Sequence, residues 1–381
     1  MPKIYFDHNA TAPFTPTVKA SLQEAEEACF GNPSSVHWAG REAKRFLNAS
    51  REKIAALLGA EEREILFTSG GTESINTALV GLWESRTQAS KIEIITSPIE
   101  HHATLKTLEY LAERGTQVTY LSVDRKGRID PEELKERIGP LTLLVSLLYA
   151  HNELGNLSPV EEVGRLCREN GVLFHCDGVQ AVGKARIDLK ALPIDLFSFS
   201  AHKFHGPKGV GGLYVREGVS LAPLHRGGMQ ERSLRGGTEN VPAIHAASVA
   251  LEEAMRDFEA DQRKIAFLRE RLEKGLLSRN DNLLLNGDLE NRLANTTNVL
   301  VRGVDGESLL INLDLEGVAA SAGAACESGS IDPSHVLLAM GFSPEEAKAS
   351  IRFSLSKLNT EGEVDEVVES FTKVVKRLRK I

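Results

Sequence analysis

Short runs of β-branched and apolar residues alternate, over the first 200 residues, with stretches that have helical periodicity. The predicted strands are residues 65–68, 92–96, 118–122, 143–149, 172–176 and 196–200. The segments between most of them place apolar residues at helical spacing; examples are 41–58, 102–113 and 160–169. A strand buried on both faces is continuously apolar, as residues 142–149 are. The pattern predicts an α/β fold with a mostly parallel sheet covered by helices.

The pattern changes after Pro242. A long helical stretch runs to about Leu277, and after it come a strand near 297–301, a helix over 306–315 and a closing helix over 360–379. This order predicts a second, smaller α+β domain.

A chain of 381 residues is too long for a single hydrophobic core, which agrees with two domains. We expect a large α/β domain over 15–255, and a small α+β domain formed by 1–14 together with 256–381. Three glycine-rich segments, 206–212, 226–237 and 321–330, are expected to be functional loops.

Composition and charge exclude several classes of protein. The chain is 41% hydrophobic and 26% charged, which is typical of a compact globular protein. Its net charge of −8 argues against a direct nucleic-acid partner, because such surfaces need clustered Lys and Arg. The longest apolar stretch, 141–150, falls short of the roughly 20 residues that a membrane helix needs. We therefore expect no membrane association and, since no secretory signal is recognisable at the N-terminus, a cytoplasmic location.

A candidate lysine follows the strand at 196–200. Ser200, His202 and Lys203 lie within four positions, before a turn rich in Gly and Pro. A lysine there could form an imine if burial and nearby cations lower its pKa, while the serine and histidine could bind a phosphate. The alternative is a solvated basic turn.

Two further motifs concern strand ends. Asp177 ends an apolar strand, and Gln180 lies three positions later. A buried carboxylate there could pair with a pyridinium nitrogen. The alternative is a helix N-cap.

Gly71 and Thr72 lie in a glycine-rich turn between a strand and a helix, where backbone N–H groups bind anions. The alternative is a plain connection. The turn lacks the spacing of a nucleotide-triphosphate loop.

Together these motifs resemble the fold-type I cysteine desulfurases of the class-V aminotransferase family, in the group that includes the nitrogen-fixation and housekeeping iron–sulfur assembly enzymes. The matching stretches cover essentially the whole chain. They are YFDHNAT at 5–11, FGNPSS at 30–35, TSGGTE at 68–73, EH at 100–101, NELG at 152–155, DGVQ at 177–180, SFSAHK at 198–203, RGGTEN at 235–240 and IRFSL at 351–355. The resemblance implies a pyridoxal-phosphate enzyme with a large, mostly parallel, seven-stranded sheet domain and a smaller α+β domain.

The resemblance also implies a role for each cofactor residue. Lys203 would hold pyridoxal 5'-phosphate as a Schiff base, Asp177 would pair with the ring nitrogen and Gln180 with the phenolic oxygen. His101 would stack on the ring and carry protons; the alternative is that it only caps a helix. The residues implied at the phosphate are Gly71, Thr72, Ser200, His202 and, from a second subunit, Thr238. The family therefore implies a homodimer.

The substrate implied is L-cysteine. Asn152, which also contacts the cofactor, and Arg352 would hold it, and a guanidinium is suited to bidentate capture of a carboxylate. A structural ion pair is the alternative for Arg352. The products would be L-alanine and sulfur, for an acceptor such as an iron–sulfur scaffold or a tRNA-thiolation protein.

The sulfur carrier implied is Cys326, in the small-residue run 321–330. It would attack the substrate sulfur as a thiolate and keep that sulfur as a persulfide. No metal of its own is expected, although Cys326 would contact a cluster transiently through the persulfide. Cys29, Cys167 and Cys176 lie in helix- or strand-like contexts and are expected to be buried and structural.

Two positions depart from the family pattern. Glu327 follows the cysteine where Ser or Thr is common, and a carboxylate should raise the thiol pKa. His151 stands where Asn often precedes the substrate asparagine. Three alternatives stay open: a selenocysteine lyase, another fold-type I lyase or aminotransferase, and a scaffold without catalysis.

Overall fold

A computed structural model of the chain describes residues 3–86, 92–322 and 332–379. The strands in these residues are β1 (Ile4–Tyr5), β2 (Ile65–Thr68), β3 (Glu93–Thr96), β4 (Gln117–Tyr120), β5 (Thr142–Leu148), β6 (Leu173–Asp177), β7 (Leu196–Ser200), β8 (Gly211–Val215), β9 (Leu283–Asn286), β10 (Thr296–Val301), β11 (Val318–Ala319), β12 (Ser321–Ala322) and β13 (Ser350–Ser354). The α-helices are α1 (Pro16–Ala28), α2 (Trp38–Leu58), α3 (Gly71–Ser85), α4 (His102–Ala112), α5 (Pro131–Arg137), α6 (Val160–Glu169), α7 (Val241–Arg256), α8 (Phe258–Arg279), α9 (Gly306–Leu315), α10 (His335–Ala339), α11 (Pro344–Lys348) and α12 (Glu361–Leu378).

The large sheet has seven strands in the order β2-β8-β7-β6-β5-β3-β4. Neighbours from β7 to β4 are parallel, and β8 is antiparallel to both β2 and β7. The predicted α/β fold with a mostly parallel seven-stranded sheet is confirmed. In the register of the central strands, Leu148 lies opposite Asp177, and Asp177 lies opposite Ser198. The carboxyl ends of β5, β6 and β7 therefore meet at one edge, where open α/β sheets bind ligands.

The antiparallel strand β8 was not predicted, because it begins with Gly211 and Gly212, and glycine usually weakens a strand. Packing explains the glycine at 212. A Cβ on Gly212 would lie 2.3 Å from the ring of Phe199, which is buried on the neighbouring strand β7. The missing side chain leaves room for this ring.

A second sheet is antiparallel, in the order β12-β13-β10-β9, and the parallel pair β1 and β11 lies beside it. Its core contains side chains of α8, α9 and α12, including an edge-to-face contact between Phe353 and Phe371 with ring centroids 6.1 Å apart. The single long helical stretch expected after Pro242 is two helices, because Asp257 between α7 and α8 has non-helical angles, φ −112° and ψ 32°. The division of the chain at residue 255 stays a prediction.

The N-terminal segment after β1 connects the two sheets. The backbone N–H of His8 donates to the Ser354 carbonyl at 3.1 Å, on the small sheet. The N–H of Ala12 donates to the His202 carbonyl at 2.8 Å, directly after β7 of the large sheet. Residues 8–12 therefore lie between the two sheets, at the edge where β5, β6 and β7 end.

Candidate active site

A cavity of about 460 Å³ opens at this edge of the large sheet. Ten of the predicted site residues line it. They are Gly71, Thr72, His101, Asn152, Asp177, Gln180, Ser200, His202, Lys203 and Arg352. Thr238 is exposed and does not line this cavity, and Cys326 and Glu327 lie outside the described residues.

Most of these residues lie at or next to the end of a helix or strand. Asp177 is the last residue of β6, Ser200 the last of β7, and Gly71 the first of α3. His101 precedes α4, and Arg352 lies in β13 of the small sheet. The cavity therefore lies where the two sheets meet.

Lys203 follows β7 in a single 3₁₀ turn, Ala201–Phe204. Its ammonium donates to the backbone carbonyls of Asn9 at 2.7 Å and Ala10 at 2.9 Å. The N-terminal segment therefore holds the lysine nitrogen at the cavity wall. The alternative of a freely solvated basic turn is wrong for Lys203.

Asp177 is a buried carboxyl group, with 2% of its surface exposed. Its Oδ1 accepts from the Val179 backbone N–H at 3.0 Å. Burial raises the pKa of Asp177 to about 6, while the Val179 N–H and the positive charge of Lys203 act in the opposite direction. The chain continues from here in turns, so the alternative of a helix N-cap is wrong. A cation in the cavity would favour ionised Asp177.

The start of α3 forms a glycine cradle. Gly70, before the helix, has φ +154° and provides no side-chain cap to the first turn. A Cβ on Gly71 would lie 2.6 Å from a methyl group of Val179, so a larger residue would fill the space. The backbone of a helix N-terminus without a side-chain cap fits an anion.

His101 has both properties that were considered for it. Its Nδ1 accepts from the Ala103 backbone N–H at 3.0 Å, which caps α4, and its ring also lines the cavity. Burial, followed by the charge of Lys203, lowers the pKa of His101 to about 4. The imidazole is therefore neutral at pH 7, and a proton that it takes up at this pH is held only transiently.

Arg352 forms the ion pair that was considered as its alternative role. Its guanidinium donates to Asp7 Oδ1 at 2.7 Å and to the Asn152 carbonyl at 3.1 Å. Its Nε is buried and has no hydrogen-bond partner among the described residues. A buried donor without a partner costs free energy, so a carboxylate ligand here would gain a bond that the protein alone leaves unmade.

His151, which departed from the family pattern, and the three cysteines that the structure describes do not line the cavity. His151 is 3% exposed, and burial lowers its pKa to about 3; it lines a neighbouring cavity instead. Cys29, Cys167 and Cys176 are all buried, as predicted, and burial raises the pKa of each thiol. These three thiols are poor nucleophiles.

Comparisons with known proteins agree with this geometry. The family described as Aminotransferase class-V matches residues 4–367. A protein named cysteine desulfurase IscS, from Methanosarcina thermophila, is 46% identical over 376 residues, which cover 99% of this chain and 93% of that protein. The chain belongs to the cysteine desulfurases of the class-V aminotransferase family.

Solved structures extend the comparison to three dimensions. A NifS-like protein superposes with a TM-score of 0.93 at 40% identity, covering 99% of this chain and 100% of that one. A structure described as SspA in complex with cysteine superposes with a TM-score of 0.82 at 35% identity, covering 94% and 100%. The family therefore extends over both sheets of the fold.

Cysteine desulfurases of this family depend on pyridoxal 5'-phosphate, and the cavity fits that group. The glycine cradle at α3 suits its phosphate, buried Asp177 suits its pyridinium nitrogen, and the Lys203 nitrogen lies at the same cavity. Among the residues that the structure describes, no group of three metal-ligating side chains could hold a metal ion. No helix in the described ranges is long and apolar enough to cross a membrane.

Two residues at this site have no role in the sequence-based prediction. Asp7 pairs with Arg352, and Asn9 is bonded by Lys203 and also donates from Nδ2 to the Asn152 carbonyl at 3.0 Å. Both lie in the stretch YFDHNAT, which carried the resemblance. Their partners follow them by more than 140 residues, so no local pattern reveals the pairing.

Replacing Asp177 with asparagine should lower kcat by about 100-fold, because a hydrogen bond to a charged partner contributes roughly 1.5–3 kcal/mol and an amide lacks the charge. The measurement is kcat at saturating L-cysteine, with Asp314→Asn, an exposed aspartate, as the control. Wild-type kcat in Asp177→Asn would show that Asp177 does not face the reacting group.

Proposed function

We propose that this chain takes the sulfur of L-cysteine onto Cys326 as a persulfide and releases L-alanine. One observation carries the proposal: Lys203, Asp177 and Arg352 line the same cavity as Ser321. Ser321 lies five positions before Cys326 in the sequence. Five residues span at most about 18 Å, so the chain keeps Cys326 within that distance of a residue that lines the cavity.

Arg352 and Asn152 are proposed to hold the substrate. The Nε of Arg352 has no hydrogen-bond partner among the described residues, a guanidinium suits bidentate binding of a carboxylate, and Asp7 keeps this guanidinium in place. The backbone carbonyl of Asn152 accepts a hydrogen bond from Arg352, which places the two residues side by side. The amino acid would therefore be held with its carboxylate at β13 and its amino group towards Lys203.

Lys203 is the proposed base for the Cα proton. Pyridoxal 5'-phosphate, when bound, supplies the electron sink for the carbon that loses this proton. The carbonyls of Asn9 and Ala10 orient Lys203 Nζ, and the Asp177 carboxyl group lines the same cavity. His101 is neutral near pH 7, so it can accept a proton from one atom and pass it to another.

Cys326 is the proposed acceptor of the sulfur. Its thiolate attacks the sulfur of L-cysteine, an S–S bond forms, and the C–S bond breaks with its electron pair left on carbon. Protonation of that carbon gives L-alanine, so one cysteine and one thiol yield one alanine and one persulfide. The buried thiols of Cys29, Cys167 and Cys176 do not line the cavity.

The experiment is incubation of the purified protein, loaded with pyridoxal 5'-phosphate, with L-cysteine and a reductant. We expect one alanine for each sulfide released, with no pyruvate. Sulfide with pyruvate instead of alanine would contradict the proposal and favour another lyase of this fold.

Replacing Arg352 with lysine tests the substrate site. The lysine keeps the charge next to Asp7 but loses the fork, so we expect KM for L-cysteine to rise roughly 10- to 100-fold with kcat changed much less. Steady-state kinetics measure both constants. An unchanged KM with a lower melting temperature would leave Arg352 with only its structural ion pair.

A homodimer is proposed from the exposed apolar surface. Phe30, Val36, Trp38 and Met229 are each more than 60% exposed, and the rings of Phe30 and Trp38 are in edge-to-face contact at 5.9 Å. Exposed apolar residues of this size are typical of interfaces. Thr238 is exposed too, which suits a residue that binds the phosphate of a partner subunit.

Light scattering at micromolar concentration should therefore give twice the mass of the chain. Thr238→Ala should weaken the binding of pyridoxal 5'-phosphate roughly 10- to 100-fold, since one hydrogen bond to a charged group contributes roughly 1.5–3 kcal/mol. A fully active monomer would contradict the proposal that two subunits share the site.

Three further expectations remain predictions. They are the sulfur acceptor (an iron–sulfur scaffold or a tRNA-thiolation protein), the cytoplasmic location and the domain division at 255.

A further inference from the structure

A second lysine lies beside the proposed cofactor lysine. Lys184 follows β6 in the turns after Asp177, and its ammonium donates to Gln180 Oε1 at 2.7 Å and to Asn9 Oδ1 at 3.0 Å. The family resemblance assigned no role to Lys184. Lys184 is half-buried, and an ammonium group held among neutral oxygens costs free energy, so its position here needs an explanation.

Asn9 is the residue that both lysines share. Lys203 donates to its backbone carbonyl at 2.7 Å, and Lys184 donates to its side-chain oxygen. Gln180 Nε2 donates to the same carbonyl at 2.9 Å. Asn9 itself is 1% exposed, and the Asn295 amide also donates to its Oδ1 at 2.9 Å. The two ammonium groups are therefore held at fixed positions on a single buried residue.

Lys184 also fixes the amide of Gln180. A lysine ammonium has no acceptor, so the Gln180 atom at 2.7 Å from it must be the oxygen. The NH₂ group of Gln180 is then the end that faces the Asn9 carbonyl and the cavity. With Lys184 in place, Gln180 presents a donor to an oxygen of a bound ligand and cannot turn its acceptor there without losing this bond.

We propose that Lys184 is a positioning residue that holds the Gln180 amide and disfavours the proton on Lys203 Nζ, which makes Lys203 a base near neutral pH. The inference rests on the proposed function, since it assumes that Lys203 carries the cofactor. Like charges raise the free energy of each other's protonated forms, and a lysine beside another cation is activated in this way.

The surrounding charges agree with this role. Burial, then Lys203 and Arg352, lower the pKa of Lys184 well below its ordinary value, and electrostatic coupling between two groups acts on both. A second cavity, which Lys184 and Lys203 both line, is also lined by His8, His205, Asp261 and Lys357. The carboxylate among them, Asp261, is paired with Lys357 at 3.2 Å, and His202 on the cofactor side is held neutral, since burial and the nearby lysines lower its pKa to about 4.

The test is a pH titration of the absorbance band of the bound cofactor, which reports the proton at Lys203 Nζ. Lys184→Met and Lys184→Gln should each move the midpoint up by about one pH unit, the size expected when one unit charge coupled to the titrating group is removed. Lys184→Arg, which keeps the charge, should stay within about 0.3 of wild type. Lys190→Met, an exposed lysine on the same segment, should not change the midpoint.

The acid limb of kcat/KM against pH should move in the same direction and by a similar amount. Wild-type midpoints in Lys184→Met and Lys184→Gln would overturn the proposal, even if their melting temperatures fall; should the methionine variant not fold, the glutamine variant decides. If the absorbance band of the Lys203→Ala variant were the same as that of the wild type, the proposed function would be refuted instead. The two failures can therefore be told apart.

Discussion

Lys203→Ala is expected to abolish turnover of L-cysteine, with kcat lower by at least about 10⁴-fold, a loss typical of removing a residue that acts in the chemical step. Lys203 Nζ is held by the carbonyls of Asn9 and Ala10 at the cavity that Asp177 also lines, and no other lysine among the described residues lines that cavity. The measurement combines kcat with the absorbance spectrum, which should lose the band that depends on a covalent bond to lysine.

Lys208→Ala is the matched control, because Lys208 is exposed and lies five positions along the same segment. It should keep wild-type kcat and spectrum. A Lys203→Ala protein that still forms the lysine-dependent band and turns over cysteine would remove Lys203 from the mechanism.

Cys326→Ala is expected to lower desulfuration of L-cysteine by at least about 10³-fold and to leave binding of pyridoxal 5'-phosphate unchanged. The three other cysteines are buried with raised thiol pKa values, so none of them can replace the missing nucleophile. The measurement is the rate of alanine formation, together with the absorbance of the bound cofactor as a check that the cavity is intact.

The same variant separates the alternatives. A Cys326→Ala protein that keeps full activity on selenocysteine but loses cysteine turnover would favour a selenocysteine lyase. Unchanged activity on L-cysteine would contradict the sulfur-carrier role. Glu327→Ser tests the expected effect of the neighbouring carboxylate, since loss of that charge should lower the pKa of the Cys326 thiol and speed persulfide formation.

The sequence pattern predicts the parallel part of the fold because strands buried on both faces are continuously apolar, as β5 is. The prediction fails at β8, where glycines weaken the strand pattern, and at Asp257, where the backbone leaves the helix without any signal in the apolar spacing. β8 begins with two glycines that make room for Phe199, and Asp257 divides a helical stretch that has no break in its apolar spacing.

The residues of the site also fall into two groups, those that the sequence predicts and those that it does not. Lys203, Asp177 and Gly71 could be found from the sequence because each stands at the end of a recognisable strand or the start of a helix. Asp7 and Asn9 could not, since their roles come from contacts with residues far along the chain. Lys184 could not either, because its contact with Asn9 spans 175 positions, although its other partner, Gln180, is only four positions away. Tertiary structure alone brings these groups to one cavity.

The most direct test of the account is the mass of peptides that contain Cys326 after the protein has been incubated with L-cysteine, with alanine measured in the same sample. The account predicts a gain of one sulfur atom on Cys326, with a matching amount of alanine, and an unchanged mass for peptides that contain Cys29, Cys167 or Cys176. Alanine without sulfur on Cys326 would contradict it.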